Sequence, residues 1–316
     1  MRLAGELLAG DRRALGKAIT LVESARADHR TEAVELLQAV LPHTGHGVRL
    51  GISGAPGVGK STFIDAFGNH VIDDGNRLAV LAVDPSSSRS GGSILGDKTR
   101  MEELARRPEA FIRPSPAGRT LGGVARRTRE AMLLCEAAGF DVVIVETVGV
   151  GQSETAVADM VDLFCLLAAP GGGDDLQGIK RGVMELAELV VVTKADGDLL
   201  PAANRAAADL RHALHLMRPV HDAWAAQVLS TSSVEGTGLG EVWAAVREHR
   251  DTLDAAGALG PMRSEQLRRW LWTELREGLV ERFVASAGEQ LADAELDVVA
   301  GRVLPTVAAD HLLKPR

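Results

Sequence analysis

Gly54-Ala55-Pro56-Gly57-Val58-Gly59-Lys60-Ser61 has the residue types and spacing that hold a polyphosphate: Gly, four residues, Gly, Lys, then a hydroxyl residue. Glycines let successive backbone N–H groups converge on an anion at a helix N-terminus, where the peptide dipoles also favour negative charge. Lys60 is placed to reach the β- and γ-phosphates, Ser61 to offer its hydroxyl to Mg²⁺, and Thr62 completes the nucleotide-binding stretch. The plain alternative is an ordinary glycine-rich turn. Both flanks argue against it: Val48–Ser53 is a short apolar run, and Phe63, Ile64, Ala66 and Phe67 follow at helical spacing. The ligand implied is a nucleoside triphosphate.

Further along, Thr193-Lys194-Ala195-Asp196 closes an apolar run and resembles the guanine-reading N-K-x-D signature of GTPases. The Asp196 carboxylate can accept from both N1–H and the exocyclic amine of guanine, a donor pair that adenine lacks. Lys194 is expected over the base plane. Thr193 stands where the signature has Asn, which removes an amide contact to the base and leaves the phosphate chemistry untouched. Ser232 and Ser233 follow the last apolar run, in the place of the final base-contact loop.

Three polar stretches complete the chemistry. Asp141–Glu146 ends in a carboxylate able to hold the Mg²⁺ shell, here Glu where Asp is commonest. Gly149 follows with an N–H that can sense the γ-phosphate, and Gln152 with an amide that can orient the attacking water. Asp84 and Asp97 bracket a Ser- and Gly-rich segment and are further metal candidates. A loop that orders around Mg²⁺ and phosphate is a switch. Residues 171–180, rich in Gly and charge, suit a contact surface.

An alternation of strand and helix must position these groups. Candidate strands are 48–53, 78–83, 110–113, 141–146, 163–168, 189–193 and 227–230, with helices near 60–73, 122–138, 201–217 and 238–254. The fold expected is α/β: a P-loop domain, residues 47–256, with a mostly parallel sheet flanked by helices. A helical extension precedes it (1–46), with one helix capped by Asp11 and another running from about 29 to 41. A helical segment follows it (257–316). There Leu267, Leu271, Leu275, Leu279 and Phe283 recur at near-i+4 steps, a stripe that either packs back on the nucleotide domain or forms a dimer interface.

Composition bounds the rest. The 316-residue chain is 46% apolar but only 3% aromatic, so Leu, Val and Ala must fill the core. A net charge of −8 argues against a nucleic-acid partner, and no apolar run is long enough for a membrane span. Cys135 and Cys165 lie in apolar stretches and read as buried free thiols, consistent with a cytoplasmic location. His43 and His46, without further ligands, read as solvated.

Taken together, these stretches resemble the methylmalonyl-CoA mutase-associated GTPases, the MeaB/ArgK/MMAA group. The likeness is carried by Gly10–Leu15 with Ala18-Ile19-Thr20, the phosphate loop, Val83–Ser87, Gly91–Met101, Arg113–Pro116, Glu146–Glu154 and Gly173–Lys180. It covers roughly residues 10–250. What the resemblance implies is a Mg²⁺-dependent GTPase, cycling between GTP and GDP, that gates adenosylcobalamin delivery to a B12-dependent acyl-CoA mutase and protects it. It also implies metal roles for Ser61, Asp84, Asp97 and Glu146, a mutase-responsive switch containing Lys180, and homodimers formed through the C-terminal helices. Two other readings are a kinase for a periplasmic amino-acid-binding protein and a nickel-insertion GTPase.

Overall fold

Seven apolar runs become the strands of one sheet: β1 (Val48–Gly54), β2 (Leu78–Val83), β3 (Ala110–Arg113), β4 (Val142–Thr147), β5 (Leu163–Ala168), β6 (Leu189–Val192) and β7 (Gln227–Ser230). Each lies within one residue, at either end, of the run that predicts it. The computed structural model describes residues 2–24, 26–83, 101–114, 121–147, 153–171 and 181–314. The strand order is β3-β2-β4-β1-β5-β6-β7, and every pair is parallel. Parallel strands need crossover connections, which here are helices covering both faces.

In chain order the described helices are α1 (Arg2–Leu8), α2 (Arg12–Glu23), α3 (Ala27–Val40), α4 (Lys60–Asp73), α5 (Glu102–Arg106), α6 (Leu121–Ala137), α7 (Ser153–Ala158), α8 (Arg181–Met184), α9 (Leu200–His215), α10 (Leu239–Ala255), α11 (Leu259–Val299) and α12 (Pro305–Leu313). The period of two along each strand divides the core. Val142 and Ile144 of β4 face α4 and α10, where Phe63 and Phe67 stack at 5.3 Å and Trp243 meets Phe67 edge-on at 6.3 Å. Val143 and Val145 face the opposite layer, built from α2, α3, α6 and α7. A third cluster joins Val190 and Val192 to Ala203, Ala207 and Leu210 of α9. Cys135 and Cys165 are buried free thiols, and burial pushes both well above the usual thiol range.

The N-terminal helices share this core rather than forming an appendage. Leu7, Leu15, Ile19, Val22, Leu36 and Val40 are buried in the same cluster as Val143 and Val145. Asp11 caps α2 as expected, accepting from the N–H groups of Arg13 at 2.7 Å and Ala14 at 3.1 Å.

The amino ends of β1 and β5 carry a buried ionic network. Arg49 of β1 donates to both carboxylate oxygens of Glu136 in α6, at 2.7 and 2.9 Å. Asp162 accepts from the Arg49 N–H at 2.9 Å and from two nitrogens of Arg263, at 2.8 and 2.6 Å. Arg263 also donates to the carbonyls of Gly45 and Gly47. Burial works most strongly against its charge, but the bond to Asp162 and the negative charges of Asp162, Glu136 and Asp254 together outweigh that and keep the guanidinium above its ordinary value. Gln266 donates to the Val161 carbonyl at 2.7 Å. The first turns of α11 are therefore fixed to the end of the sheet remote from the phosphate loop.

The chain divides into two compact units, Met1–Gln266 and Leu267–Arg316. In the second unit, α11 runs on to Val299, interrupted at Gly288, where φ is 47° and ψ is −123°. Its Leu267, Leu271, Leu275 and Leu279 are exposed by 56%, 57%, 41% and 61%. No described helix is long and apolar enough to cross a membrane.

Candidate nucleotide site

Beyond its last buried residue, β1 turns through residues 55–59 into α4. Gly57 and Gly59 take φ values of 80° and 97°, the left-handed region that side chains disfavour. Gly54 has another reason to lack a side chain: a Cβ there would lie 2.7 Å from the Leu167 carbonyl of β5. Gly59 precedes the helix without a side-chain cap, as suits a helix N-terminus that receives an anion. Lys60 Nζ donates to the carbonyls of Gly54 at 2.7 Å and Ala55 at 3.3 Å. Its ammonium thus spans the loop that a triphosphate would enter.

β4 lies beside β1, with Glu146 in register with Ile52. Glu146 is buried at the carboxyl end of that strand. The next residue, Thr147, donates to the Ser53 hydroxyl at 2.8 Å, within the core. This bond ties the acidic strand end to the last residue before the phosphate loop. Ser61, on the first turn of α4, and Glu146 both offer hard oxygen donors, the chemistry Mg²⁺ requires.

The base-reading tetrapeptide leaves β6 on the other side of the loop. The Thr193 hydroxyl donates to the Val58 carbonyl at 2.7 Å and lies 3.2 Å from the Ala168 carbonyl. Lys194, whose φ is 55°, donates from Nζ to the Gly57 carbonyl at 2.9 Å. Position 193 therefore bears on the phosphate loop as well as the base, contrary to the expectation that its change from Asn concerns the base alone. Asp196 accepts from the Ser232 hydroxyl, which in turn accepts from the Glu235 N–H at 3.1 Å. That bond aligns the carboxylate from the β7 side. Ser233 follows in the same loop, half-buried. The loop closes at Gly238, where φ is 77° and a Cβ would lie 2.2 Å from the Ser230 carbonyl.

Thus the fold gathers Gly54, Ala55, Pro56, Gly57, Val58, Gly59, Lys60, Ser61 and Thr62 with Glu146, Thr193, Lys194, Asp196, Ser232 and Ser233 at the carboxyl ends of β1, β4, β6 and β7. Open α/β sheets bind their ligands at that edge. Asp84, Asp97, Gly149, Gln152 and Lys180 lie outside the described residues. Sequence reasoning missed the Thr147–Ser53 bond and the tie from Thr193 to Val58; the signal for either was no more than a hydroxyl residue in a motif or beside one.

Residues 15–288 match the family model described as methylmalonyl Co-A mutase-associated GTPase MeaB. The chain belongs to that family. MeaB-family relatives span nearly the whole chain. A Caulobacter vibrioides protein named putative GTPase is 56% identical over 314 residues, covering 98% of this chain and 96% of its own length. The mouse protein named methylmalonic aciduria type A homolog, mitochondrial, is 49% identical over 325 residues, covering 99% of this chain and 78% of its own length. The solved structure of a protein described as LAO/AO transport system kinase superposes with a TM-score of 0.78 at 40% identity, covering 98% of this chain and 95% of that one. The chain is a P-loop GTPase of the MeaB family, with a guanine nucleotide as its ligand.

Proposed function

We propose that this GTPase is a chaperone for a B12-dependent acyl-CoA mutase, gating adenosylcobalamin delivery to the mutase and protecting it from inactivation. The observation that carries the reading is the match of residues 15–288 to a mutase-associated GTPase family. A phosphate loop and a base-reading loop already bonded to each other support it.

In this reading Lys60 leaves the Gly54 and Ala55 carbonyls for the β- and γ-phosphates, and Asp196 takes the guanine edge. Ser61 and Glu146, with Asp84 and Asp97, hold Mg²⁺; bound with the nucleotide, the ion neutralises charge on the β- and γ-phosphate oxygens. Gly149 senses the γ-phosphate, Gln152 orients the attacking water, and the loop containing Lys180 transmits the state to the mutase. A second copy of the chain covers the exposed leucines of α11.

The test is copurification. Tagged protein loaded with a non-hydrolysable GTP analogue is expected to retain a B12-dependent mutase from its own cell extract, and to retain it differently when loaded with GDP. No mutase in either state would overturn the reading. A kinase is the second reading, favoured by the name of the 40%-identical relative of known structure. It predicts instead transfer of labelled γ-phosphate from nucleotide to a protein acceptor.

A further inference from the structure

We propose that Thr147 is a positioning residue for the magnesium site, fixing Glu146 relative to the phosphate loop through its bond to Ser53. The inference rests on the Mg²⁺ roles assigned above to Glu146 and Ser61, and names the contact that sets their separation.

Strand pairing shows why a tie is needed at this point. β1 and β4 run in register up to Ile52 and Glu146. Beyond that pair the two strands separate. β1 continues along β5 as far as Gly54, and β4 along β2 as far as Thr147. The two metal donors lie on opposite sides of this parting: Glu146 is near the end of β4, and Ser61 is on the helix that β1 leads into. A Mg²⁺ shell demands near-ideal octahedral geometry, so small displacements of a donor matter. The Thr147 hydroxyl, 2.8 Å from the Ser53 hydroxyl, spans the parting one residue past the last paired position.

Side chains alternate between the two faces of the sheet. Glu146 therefore shares its face with Val142 and Ile144, which pack towards α4, the helix that carries Ser61. Ser53 and Thr147 take the other face, with Val143 and Val145. Their residues are 1% and 0% exposed. On that face the two hydroxyls act on the metal site only through the backbone of their strands. Removing one would leave the other buried without its partner, which is costly, whereas replacing both by apolar groups of similar shape can be nearly neutral. Paired replacement therefore separates a loss of positioning from a loss of stability.

The experiment titrates a non-hydrolysable GTP analogue into the whole protein by calorimetry, once in Mg²⁺ and once in EDTA, beside a thermal melt. The ratio of the two affinities reads the metal site without turnover. Ser53→Ala with Thr147→Val is expected to melt close to wild type and to bind as wild type does in EDTA. Its Mg²⁺ enhancement is expected to fall by about fivefold, the size of one neutral hydrogen bond. Ser53→Ala alone is expected to show the same fall, and Thr147→Ser, which keeps the hydroxyl, none. Wild-type enhancement in the Ser53→Ala variants would overturn the proposal. So would equal losses in Mg²⁺ and EDTA, the mark of a bond that only supports the fold, or a Thr147→Ser variant as impaired as the double. Failure of the magnesium reading gives a different result: wild type and Glu146→Gln would each bind equally in Mg²⁺ and EDTA.

Discussion

Lys60 holds the phosphate loop from inside, bridging the Gly54 and Ala55 carbonyls with donors that a triphosphate would claim. Truncating it removes a bridge and a charge but no core packing, since the residue is only half-buried. Lys60→Ala is therefore expected to weaken GTP binding by about 100-fold or more, in line with losing a charge-assisted contact to phosphate, while the thermal unfolding midpoint stays nearly unchanged. Calorimetric titration paired with a melting curve checks both halves. At this scale much was legible in the sequence. A phosphate loop is a local feature, and its glycines, lysine and serine announce their roles by spacing alone. The Thr193 hydroxyl was not legible, because its partner Val58 lies 135 residues away in sequence. Only the pairing of β1 with β5 and of β5 with β6 brings the two together.

Among the elements, the strands were the most legible part. A parallel sheet buried on both faces demands continuous apolar runs, and these stand out between glycines. The ionic network beneath them was hidden, since Arg49 and Glu136 are 87 residues apart and neither lies in a motif. Their side chains are 10% and 0% exposed, so removing one charge strands the other in the core. Glu136→Gln is expected to lower stability by about 3 kcal/mol or more, read from urea unfolding. Arg49→Met combined with Glu136→Leu is expected to recover most of that loss, because apolar replacement of a buried pair is often close to neutral. The apolar stripe of α11 ends at Phe283, yet helix resumes beyond Gly288, whose backbone takes the break without a Cβ penalty.

Over the whole molecule, the order β3-β2-β4-β1-β5-β6-β7 puts the phosphate-loop strand between the acidic strand β4 and β5, with the base-reading strand β6 beyond. Pattern alone predicted parallel strands but not this order, which arises from long-range packing. The C-terminal unit makes its own claim. Leu271 and Leu275 are exposed by 57% and 41% on α11, and a stripe of this length on a helix suits a partner helix. Leu271→Glu with Leu275→Glu is expected to convert a dimer into a monomer in sedimentation velocity without loss of GTP binding. A wild-type monomer would contradict the proposed homodimer.

The most direct measurement of the central claim is the GTP turnover rate with and without a B12-dependent acyl-CoA mutase. The phosphate and base loops are bonded to each other, while in the proposed reading full turnover waits on the partner acting through Gly149, Gln152 and Lys180. Turnover by the chain alone should therefore be slow. Adding the mutase is expected to raise it at least about tenfold, the equivalent of about 1.4 kcal/mol off the barrier, with no turnover from Lys60→Ala in either condition. A fast intrinsic rate that no B12-dependent mutase alters would contradict the account.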